Sequence, residues 1–374
     1  MTKDALASVT GNPEDEVPRL YSLRVTNPDE VRHNNAAPVR EPVYGSIPRS
    51  VWVQIDGAHD ARRQLEQQLP TVSSEPHRSI SATVRHVKGH SGSQSQIVVH
   101  YPYEEREEVA NAEVSVPLSD VKETLPANMS GIAGRGTEVA EEVPPVPIKV
   151  VRSPEQEQWY EYRYRNPGVP AGAAATFGTT EGPATLGTPV WDNKDEEMAL
   201  LTCGHVVSNH GPRCYQPGAQ NAPGESDPNY IGATDLDYFK HGSEFDAAMI
   251  RTTGGISTYG GFADTGDDNY RGPNIGGTVQ KDWLEDAAQN GDPLKKQGLG
   301  SGLKEGAVTN TNDTYFLTKA DNEGGDSGGP HFRLLDSDSD TAEIAGIHKS
   351  DYGGKSKATI LAEIEQRWNL TTTP

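Results

Sequence analysis

The chain has little of what holds disulfide-rich or membrane-spanning proteins together. Only two of its 374 residues are cysteines, so no disulfide framework can replace a packed core. The N-terminus lacks the basic start and apolar run of a secretory signal, and no window approaches the roughly 18 apolar residues of a membrane span. We therefore expect a soluble protein that lies in the cytoplasm by default and has no membrane partner.

Basic residues are also scarce. The 33 lysines and arginines are outnumbered by 54 aspartates and glutamates, which gives a formal net charge of −21. A field of this sign repels phosphate backbones and anionic lipid headgroups. We therefore expect no nucleic-acid partner, and the charge gives a second reason to expect no membrane.

Glycine and proline are plentiful, at 39 and 27 residues, which favours a loop-rich, mainly β protein. Residues 1–45 are polar with scattered prolines and predict a disordered tail. Over 46–130, a strand-like alternation at 51–55, helical spacing at 61–69 and strand patterns at 80–86 and 96–101 predict a small α+β module. The prolines of 141–147 predict a linker over 131–165. Beyond it, the short apolar runs between turn residues are typical of an all-β barrel or sandwich.

One glycine-rich stretch, Gly324-Gly-Asp-Ser-Gly-Gly-Pro330, carries the strongest chemical signal. Glycines on both sides of Ser327 let the backbone approach a substrate and turn two N–H groups toward one point, as an oxyanion hole requires. A serine hydroxyl becomes a nucleophile only beside a base, and the base needs a third group to fix its tautomer. Ser327 is therefore a candidate nucleophile, unless the motif is a surface turn.

Two upstream segments supply candidates for the base and its partner. His205 ends an apolar strand in Leu-Leu-Thr-Cys-Gly-His, and Asp246 opens the apolar run that follows Phe245. Either residue alone would be more often structural than catalytic, but the order His, Asp, Ser suits groups that meet across a cleft. His210 is a second candidate base, although it lies in a turn-like sequence with no apolar strand before it.

These segments resemble the chymotrypsin-like (trypsin-fold) serine proteases, in the form of their bacterial-type members. Thr202-Cys-Gly-His205 is similar to the family's Thr-Ala-Ala-His, and Phe245-Asp-Ala-Ala is similar to its Asp-Ile-Ala-Leu. Gly325-Asp-Ser-Gly-Gly-Pro330 matches the family's nucleophile loop, and the glycine-rich stretch 295–308 resembles a hairpin of the bacterial members. The resemblance implies two six-stranded antiparallel β-barrels with a C-terminal helix over 166–374.

The resemblance also implies a role for each residue. Ser327 would attack the scissile carbonyl, His205 would transfer its proton, and Asp246 would orient His205. The N–H groups of Gly325 and Ser327 would form the oxyanion hole. Asp326 resembles a buried aspartate that a cationic partner locks in place, a partner that the sequence does not identify.

Two cysteines flank the candidate base in the sequence. Cys203 and Cys214 bracket His205 much as a family disulfide does, but at displaced positions. A disulfide between them and two free thiols both remain open. Neither is needed as a nucleophile, because Ser327 already fills that role.

Two residues favour opposite substrate preferences. Asp321 has the spacing of the aspartate at the base of the trypsin pocket, which would select arginine or lysine, although it looks like part of an exposed turn. His348 resembles the histidine with which glutamyl endopeptidases hold an acidic side chain. Because His348 lies on a recognisable strand, we favour it.

The sequence thus predicts a serine endopeptidase that acts on protein or peptide substrates. Neither a cofactor nor a metal is predicted, because the chain has no Walker A motif, no His-Glu-x-x-His and no zinc-type cysteine cluster. The N-terminal module would dock on the protease domain as a propeptide, inhibitor or targeting unit. The alternative is a catalytically silent or self-processing scaffold on the same fold.

Overall fold

The computed structural model describes residues 15–34, 36–69, 80–89, 92–103, 121, 123–138, 140–154, 169–178, 183–216, 218, 224–253, 258–263, 272–335 and 338–373. The N-terminal elements are β1 (Glu16–Val25), α1 (Pro28–Asn34), β2 (Arg40–Pro48), α2 (Arg49–Glu66), β3 (Ser81–Gly89), β4 (Gly92–Tyr103), β5 (Asn128–Met129), β6 (Ile132–Ala133), β7 (Glu141–Glu142) and β8 (Val146–Pro154). No helix in these ranges is long and apolar enough to cross a membrane.

The remaining elements build two barrels. The first group comprises β9 (Val169–Ala171), β10 (Ala174–Phe177), β11 (Pro183–Thr185), β12 (Pro189–Asp192), β13 (Glu197–Thr202), α3 (Gly204–His210), β14 (Arg213–Tyr215), β15 (Tyr230–Lys240), β16 (Ala247–Thr252) and β17 (Thr258–Phe262). The second comprises β18 (Asn274–Val279), α4 (Lys281–Asn290), β19 (Pro293–Gly298), β20 (Gly302–Thr311), β21 (Tyr315–Thr318), β22 (Pro330–Leu335), β23 (Asp338–Asp351), β24 (Ser356–Ile360), α5 (Leu361–Trp368) and β25 (Leu370–Thr372).

The C-terminal barrel is a closed ring of six antiparallel strands, in the order β19, β20, β21, β24, β23, β22 and back to β19. The short strands β21 and β24 are buried along their whole length, and each pairs with a neighbour on both edges. The glycine-rich stretch 295–308 forms the β19–β20 hairpin, as the sequence predicted.

The N-terminal barrel follows the order β10, β14, β15, β16, β13, β12, again with antiparallel pairs. It closes because β12 follows β11 after only residues 186–188, and β11 pairs with β10. Within this bend, the N–H of Gly187 donates to the carbonyl of Leu201, whose own N–H donates to Thr188. The two predicted barrels and the C-terminal helix, which is α5, are therefore confirmed.

The N-terminal module is built from α2 packed on β3, β4 and β8. Val53, Ala58, Ala61 and Leu65 of α2 lie in one hydrophobic core with residues of all three strands. The helix begins at Arg49, so the strand pattern at 51–55 was a wrong prediction. A short apolar run does not distinguish a strand from one buried turn of helix.

The predicted linker is also partly incorporated into this module. β8 pairs in parallel with β4 over residues 148–154, and the side chains of Val143 and Val146 are buried in the module's core. Asp60 of α2 accepts two hydrogen bonds from Arg135 and one from the N–H of Ile132. Residues 131–138 and 140–154 are therefore folded, because their valines gain burial that the neighbouring prolines do not prevent; residues 139 and 155–165 lie outside the described ranges.

The predicted tail also contains paired strands, which corrects the expectation of disorder for residues 16–34 and 36–45. β1 pairs with β2, and on its other side Leu23 pairs with Thr278 of β18. The Ser22 hydroxyl and the Arg24 guanidinium both donate to Glu343, a fully buried carboxylate of β23. These polar residues are ordered by long-range pairing and not by an apolar core of their own, and residues 1–14 lie outside the described ranges.

A cluster of buried and half-buried charges lies where α2, β1 and α4 meet. We call Arg19, His59, Arg62, Lys281, Glu285, Asp286 and Asp313 the interface cluster. Within it, Arg19 pairs with Glu285, Arg62 and Lys281 both pair with Asp313, and His59 Nε2 lies 3.8 Å from Glu285. Next to the cluster, β3 pairs with β20. These contacts make one continuous sheet of module and C-terminal barrel strands.

Candidate active site

Two neighbouring strands of the N-terminal barrel position His205 and Asp246. His205 lies in the first turn of α3, directly after β13, and Asp246 lies directly before β16. Because β13 pairs with β16, with Thr202 opposite Ala248, the end of one strand lies beside the start of the other. Ser327 comes from the C-terminal barrel, in the loop between β21 and β22.

The structure brings these three residues into one hydrogen-bonded row. His205 Nδ1 lies 2.6 Å from Asp246 Oδ2, and His205 Nε2 lies 2.9 Å from Ser327 Oγ. The backbone N–H of His205 also donates to Asp246 Oδ1 at 2.9 Å, so the carboxylate holds both the backbone and the ring of the histidine. A hydroxyl, an imidazole and a carboxylate in this order can move a proton from Ser327 to His205.

The charges of the row set its protonation. Burial alone would lower the pKa of His205, but the interactions with Cys203 and with the Asp246 carboxylate raise that pKa well above its ordinary value. Burial would raise the pKa of Asp246, but the hydrogen bond and charge of His205, with Lys349 further away, lower it. Asp246 is therefore the anionic member of the pair, and it stabilises a protonated His205 ring.

Two buried lysines hold the turn that precedes Asp246. Lys349 Nζ donates to the carbonyls of Gly242 and Ser243, at 2.8 and 2.6 Å. Lys357 Nζ donates to the same Ser243 carbonyl at 2.7 Å and lies 3.8 Å from the centre of the Tyr315 ring. The carbonyl of Asp246 also accepts from the Thr359 hydroxyl at 3.0 Å. The C-terminal barrel thus fixes a residue that the N-terminal barrel supplies.

Glycine conformations shape the loop that carries Ser327. Gly325 and Gly328 have φ angles of +89° and +94°, which side chains of L-residues rarely adopt. A Cβ on Gly328 would lie 2.0 Å from the carbonyl oxygen of Thr185. Thr185 binds the loop at two points, since its hydroxyl donates to Gly325 O and its N–H donates to Ser327 O. Among the described residues, neither the N–H of Gly325 nor that of Ser327 donates a hydrogen bond.

Asp326 holds this loop from inside the barrel, and its cationic partner is Lys296. Both side chains are fully buried, and they form an ion pair. The carboxylate also accepts hydrogen bonds from the N–H groups of Gly300, Ser301 and Glu323, each at 2.9 Å, and from the Ser301 hydroxyl at 2.7 Å. The residue before Ser327 is thus fixed by a lysine of strand β19 and by backbone groups.

The two residues proposed to direct specificity lie in different surroundings. His348 is buried on β23, and its Nδ1 lies 3.3 Å from His331 Nε2, with the two rings stacked. Burial, with the charges of Lys296 and His205, lowers the pKa of His348 well below its ordinary value, so the ring is neutral. Asp321 is exposed, as its turn-like sequence suggested.

The competing base and the two cysteines have other positions or partners than the sequence suggested. His210, the competing base, ends α3, and it is His205 that contacts Ser327. Cys203 and Cys214 are both buried and free, so they form no disulfide. Cys203 Sγ instead lies 3.8 Å from His205 Nε2.

Sequence reasoning found the three members of the row and missed the residues that fix them. Lys296 was visible only as part of a glycine-rich hairpin, and Lys349 only as the neighbour of His348. Neither motif gives its lysine a role, and each lysine takes its partner from a distant part of the chain. An expected cation for Asp326 was the only signal, and it did not select one among the 33 basic residues.

Comparisons with known proteins find bacterial serine proteases among solved structures. One, described as a glutamic acid specific serine protease that utilizes a novel histidine triad in substrate binding, is 20% identical, with a TM-score of 0.39 over 55% of this chain and all of that one. Nocardiopsis protease is 16% identical, with a TM-score of 0.40 over 55% of this chain and all of that one. Cellulomonas bogoriensis chymotrypsin is 16% identical, with a TM-score of 0.36 over 55% of this chain and 98% of that one. No family model and no curated protein matches the chain.

Proposed function

We propose that this protein is a serine endopeptidase that cleaves peptide bonds with Ser327 as nucleophile. The observation that carries the proposal is the row in which His205 lies 2.9 Å from Ser327 Oγ and 2.6 Å from Asp246. Simpler side chains would fill this space equally well. A buried carboxylate, a ring with both nitrogens hydrogen-bonded and a hydroxyl at the end of the row therefore indicate catalysis. The C-terminal barrel presents this hydroxyl on a loop fixed by Asp326 and Lys296.

The proposed reaction begins with attack of Ser327 Oγ on the substrate carbonyl carbon. His205 Nε2 takes the hydroxyl proton as the C–O bond forms, and Asp246 stabilises the resulting imidazolium through Nδ1. The N–H groups of Gly325 and Ser327 would receive the oxyanion, which is consistent with their having no acceptor among the described residues. His205 then returns the proton to the leaving amine, and water attacks the acyl group with the same base.

A chemical probe and a matched pair of variants test this proposal. A fluorophosphonate should label the full chain at Ser327, and Ser327→Ala should abolish both labelling and peptide hydrolysis while the thermal unfolding midpoint is unchanged. The control is Ser208→Ala, which removes an exposed hydroxyl three residues beyond His205 and should change neither. Hydrolysis by Ser327→Ala at the wild-type rate would overturn the mechanism, and an unlabelled wild-type protein would favour the silent scaffold.

The pH dependence of labelling tests the base. His205 must be neutral to accept a proton, and its raised pKa places the loss of activity, as pH falls, above the value of about 6.5 for an ordinary histidine. A rate of labelling that is constant from about pH 5 to pH 8 would exclude His205 as the base.

For the substrate preference, we propose cleavage after glutamate or aspartate, directed by His348. With His331 Nε2 donating to His348 Nδ1, the neutral His348 ring keeps its other N–H as a donor for a substrate carboxylate. Asp321 is exposed and so lacks the desolvation that a buried recognition carboxylate uses. The net charge of −21 would slow the approach of acidic peptides, an effect that added salt screens.

A peptide library read by mass spectrometry tests the preference. We expect cleavage after acidic residues that increases with salt, and His348→Ala should lose most of that preference while Asp321→Ala keeps it. Dominant cleavage after arginine or lysine that Asp321→Ala abolishes would reverse the assignment. We further propose that the N-terminal module remains docked on the protease barrels through β3 and the interface cluster.

A further inference from the structure

Cys203 lies where the proposed reaction has no use for it. Its thiol is buried, it is not in a disulfide, and its Sγ lies 3.8 Å from His205 Nε2. The same nitrogen lies 2.9 Å from Ser327 Oγ. One nitrogen therefore has a soft sulfur atom and a hydroxyl oxygen beside it, both within the reach of a shared ligand.

The spacing of sulfur and nitrogen fits a metal ion. Zinc binds cysteine sulfur at about 2.3 Å and histidine nitrogen at about 2.0–2.1 Å with tetrahedral angles, which places two such ligand atoms about 3.6 Å apart. The observed 3.8 Å is close to this value. The ligand atoms of Cys203, His205 and Asp246 all lie within 4.8 Å of one another.

Asp246 suits a second role at such a site. Its carboxylate binds His205 Nδ1 at 2.6 Å, which fixes the ring and leaves Nε2 with its lone pair. A carboxylate behind a metal-binding histidine fixes the tautomer and raises the basicity of the ring. His205 retains 22% of its side-chain exposure, so its ring is not sealed from solvent.

From these contacts we propose that Cys203 and His205 form a binding site for a thiophilic divalent cation of the zinc class. The cation takes the Nε2 lone pair and the Cys203 sulfur, whose thiol proton passes to solvent. The Ser327 hydroxyl and water complete the coordination. Since an occupied Nε2 has no lone pair for the serine proton, the bound cation is a reversible inhibitor; this consequence alone rests on the proposed peptidase function.

A titration of the full chain with cadmium tests the binding without any assay of activity. Cadmium bound to a thiolate gives an ultraviolet charge-transfer band, which we expect at one equivalent in the wild-type protein and in Ser327→Ala. Cys203→Ala should lose the band. The matched control is Cys214→Ala, which removes the other buried thiol of the same barrel and should keep it.

The inhibition is measured separately, as the zinc concentration that halves fluorophosphonate labelling. We expect this concentration to rise at least about 10-fold in Cys203→Ala and to stay unchanged in Cys214→Ala. If circular dichroism shows that Cys203→Ala does not fold, Cys203→Ser, which keeps the size of the side chain, must lose the cadmium band instead.

The outcomes separate the two proposals. A cadmium band that persists in Cys203→Ala, or that is lost in Cys214→Ala, overturns the metal site. A wild-type protein that shows the band but no labelling and no hydrolysis overturns the peptidase and leaves the metal site standing. Zinc inhibition of equal strength in wild type and Cys203→Ala assigns the inhibition to another site.

Discussion

Charge is buried in two different ways in this protein. At Asp326, one carboxylate receives an ion pair from Lys296 and four further hydrogen bonds from Gly300, Ser301 and Glu323. The interface cluster instead spreads its charges over α2, α4, β1 and the turn before β21, and it is less well satisfied. Among the described residues, the buried His59 Nδ1 and Arg62 Nε have no hydrogen-bond partner.

The difference follows from what each group fixes. The Asp326 carboxylate lies one residue from Ser327, and a loop that must hold a nucleophile needs a single geometry. The interface cluster joins elements distant in sequence, where attraction between several charges tolerates small displacements. The fully hydrogen-bonded Asp326 carboxylate therefore fixes the position of one loop, whereas the interface cluster holds two parts of the protein together.

The largest effect that separates the two should come from Lys296→Met. This change leaves a buried, unpaired Asp326 and should lower the free energy of unfolding by about 3–5 kcal/mol, together with loss of Ser327 labelling. Lys295→Met is the control, since Lys295 on the same strand pairs with the half-exposed Glu305. Urea denaturation measures the free energy of unfolding of both variants. A loss below about 1 kcal/mol for Lys296→Met would show that the ion pair with Lys296 does not fix the Asp326 loop.

A somewhat smaller effect is expected from the pH dependence of the interface cluster. Burial, opposed by Arg19, raises the pKa of Asp286 to about 6. A carboxyl with a raised pKa stabilises the fold fully below its unfolded pKa, and this stability is lost as pH rises through about 6. Asp286→Asn should therefore gain up to about 3 kcal/mol over the wild type between pH 4 and pH 7.

Urea denaturation across that pH range measures the gain. The exposed Asp237→Asn is the control and should run parallel to the wild type. A wild-type protein whose stability relative to Asp286→Asn does not change with pH would show that the cluster is as well compensated as the Asp326 site.

The smallest effect should come from Arg62→Met. Arg62 is 1% exposed, but its partners Glu66 and Asp313 are 23% and 33% exposed, so water solvates them when the arginine is removed. We expect a loss of about 1–2 kcal/mol in thermal or urea unfolding, and a smaller one for the half-exposed neighbour Arg63→Met, whose ion pairs are longer. A loss as large as that of Lys296→Met would remove the distinction between the two sites.

The residues of the candidate site could be predicted from the sequence because each lies in a short local motif. Ser327 and its glycines are adjacent in the chain, and His205 and Asp246 each lie at the end of an apolar strand. The hairpin of β19 and β20 was likewise predictable, since its two strands are joined by a short glycine-rich turn. Local patterns were sufficient wherever the partner lay nearby.

The strands of the N-terminal half were predicted less well, because their pairing partners are distant in the sequence. β1 carries Glu, Arg, Ser and Arg among its ten residues without a regular alternation, and it becomes a strand because β2 and β18 supply its hydrogen bonds. β8 was hidden by Pro144, Pro145 and Pro147, although its later residues pair regularly with β4.

The long-range pairing of β12 with β25 determines when the protein can fold during synthesis. Trp191 pairs with Thr371, so strand β12 of the N-terminal barrel gains its second neighbour from the far end of the described chain. Leu23 must likewise wait for Thr278. Contacts of such separation slow folding, because each requires the closure of a long loop. A chain synthesised only as far as β24 thus carries an unpaired edge on β12, and the row of Asp246, His205 and Ser327 cannot form before Ser327 has been made.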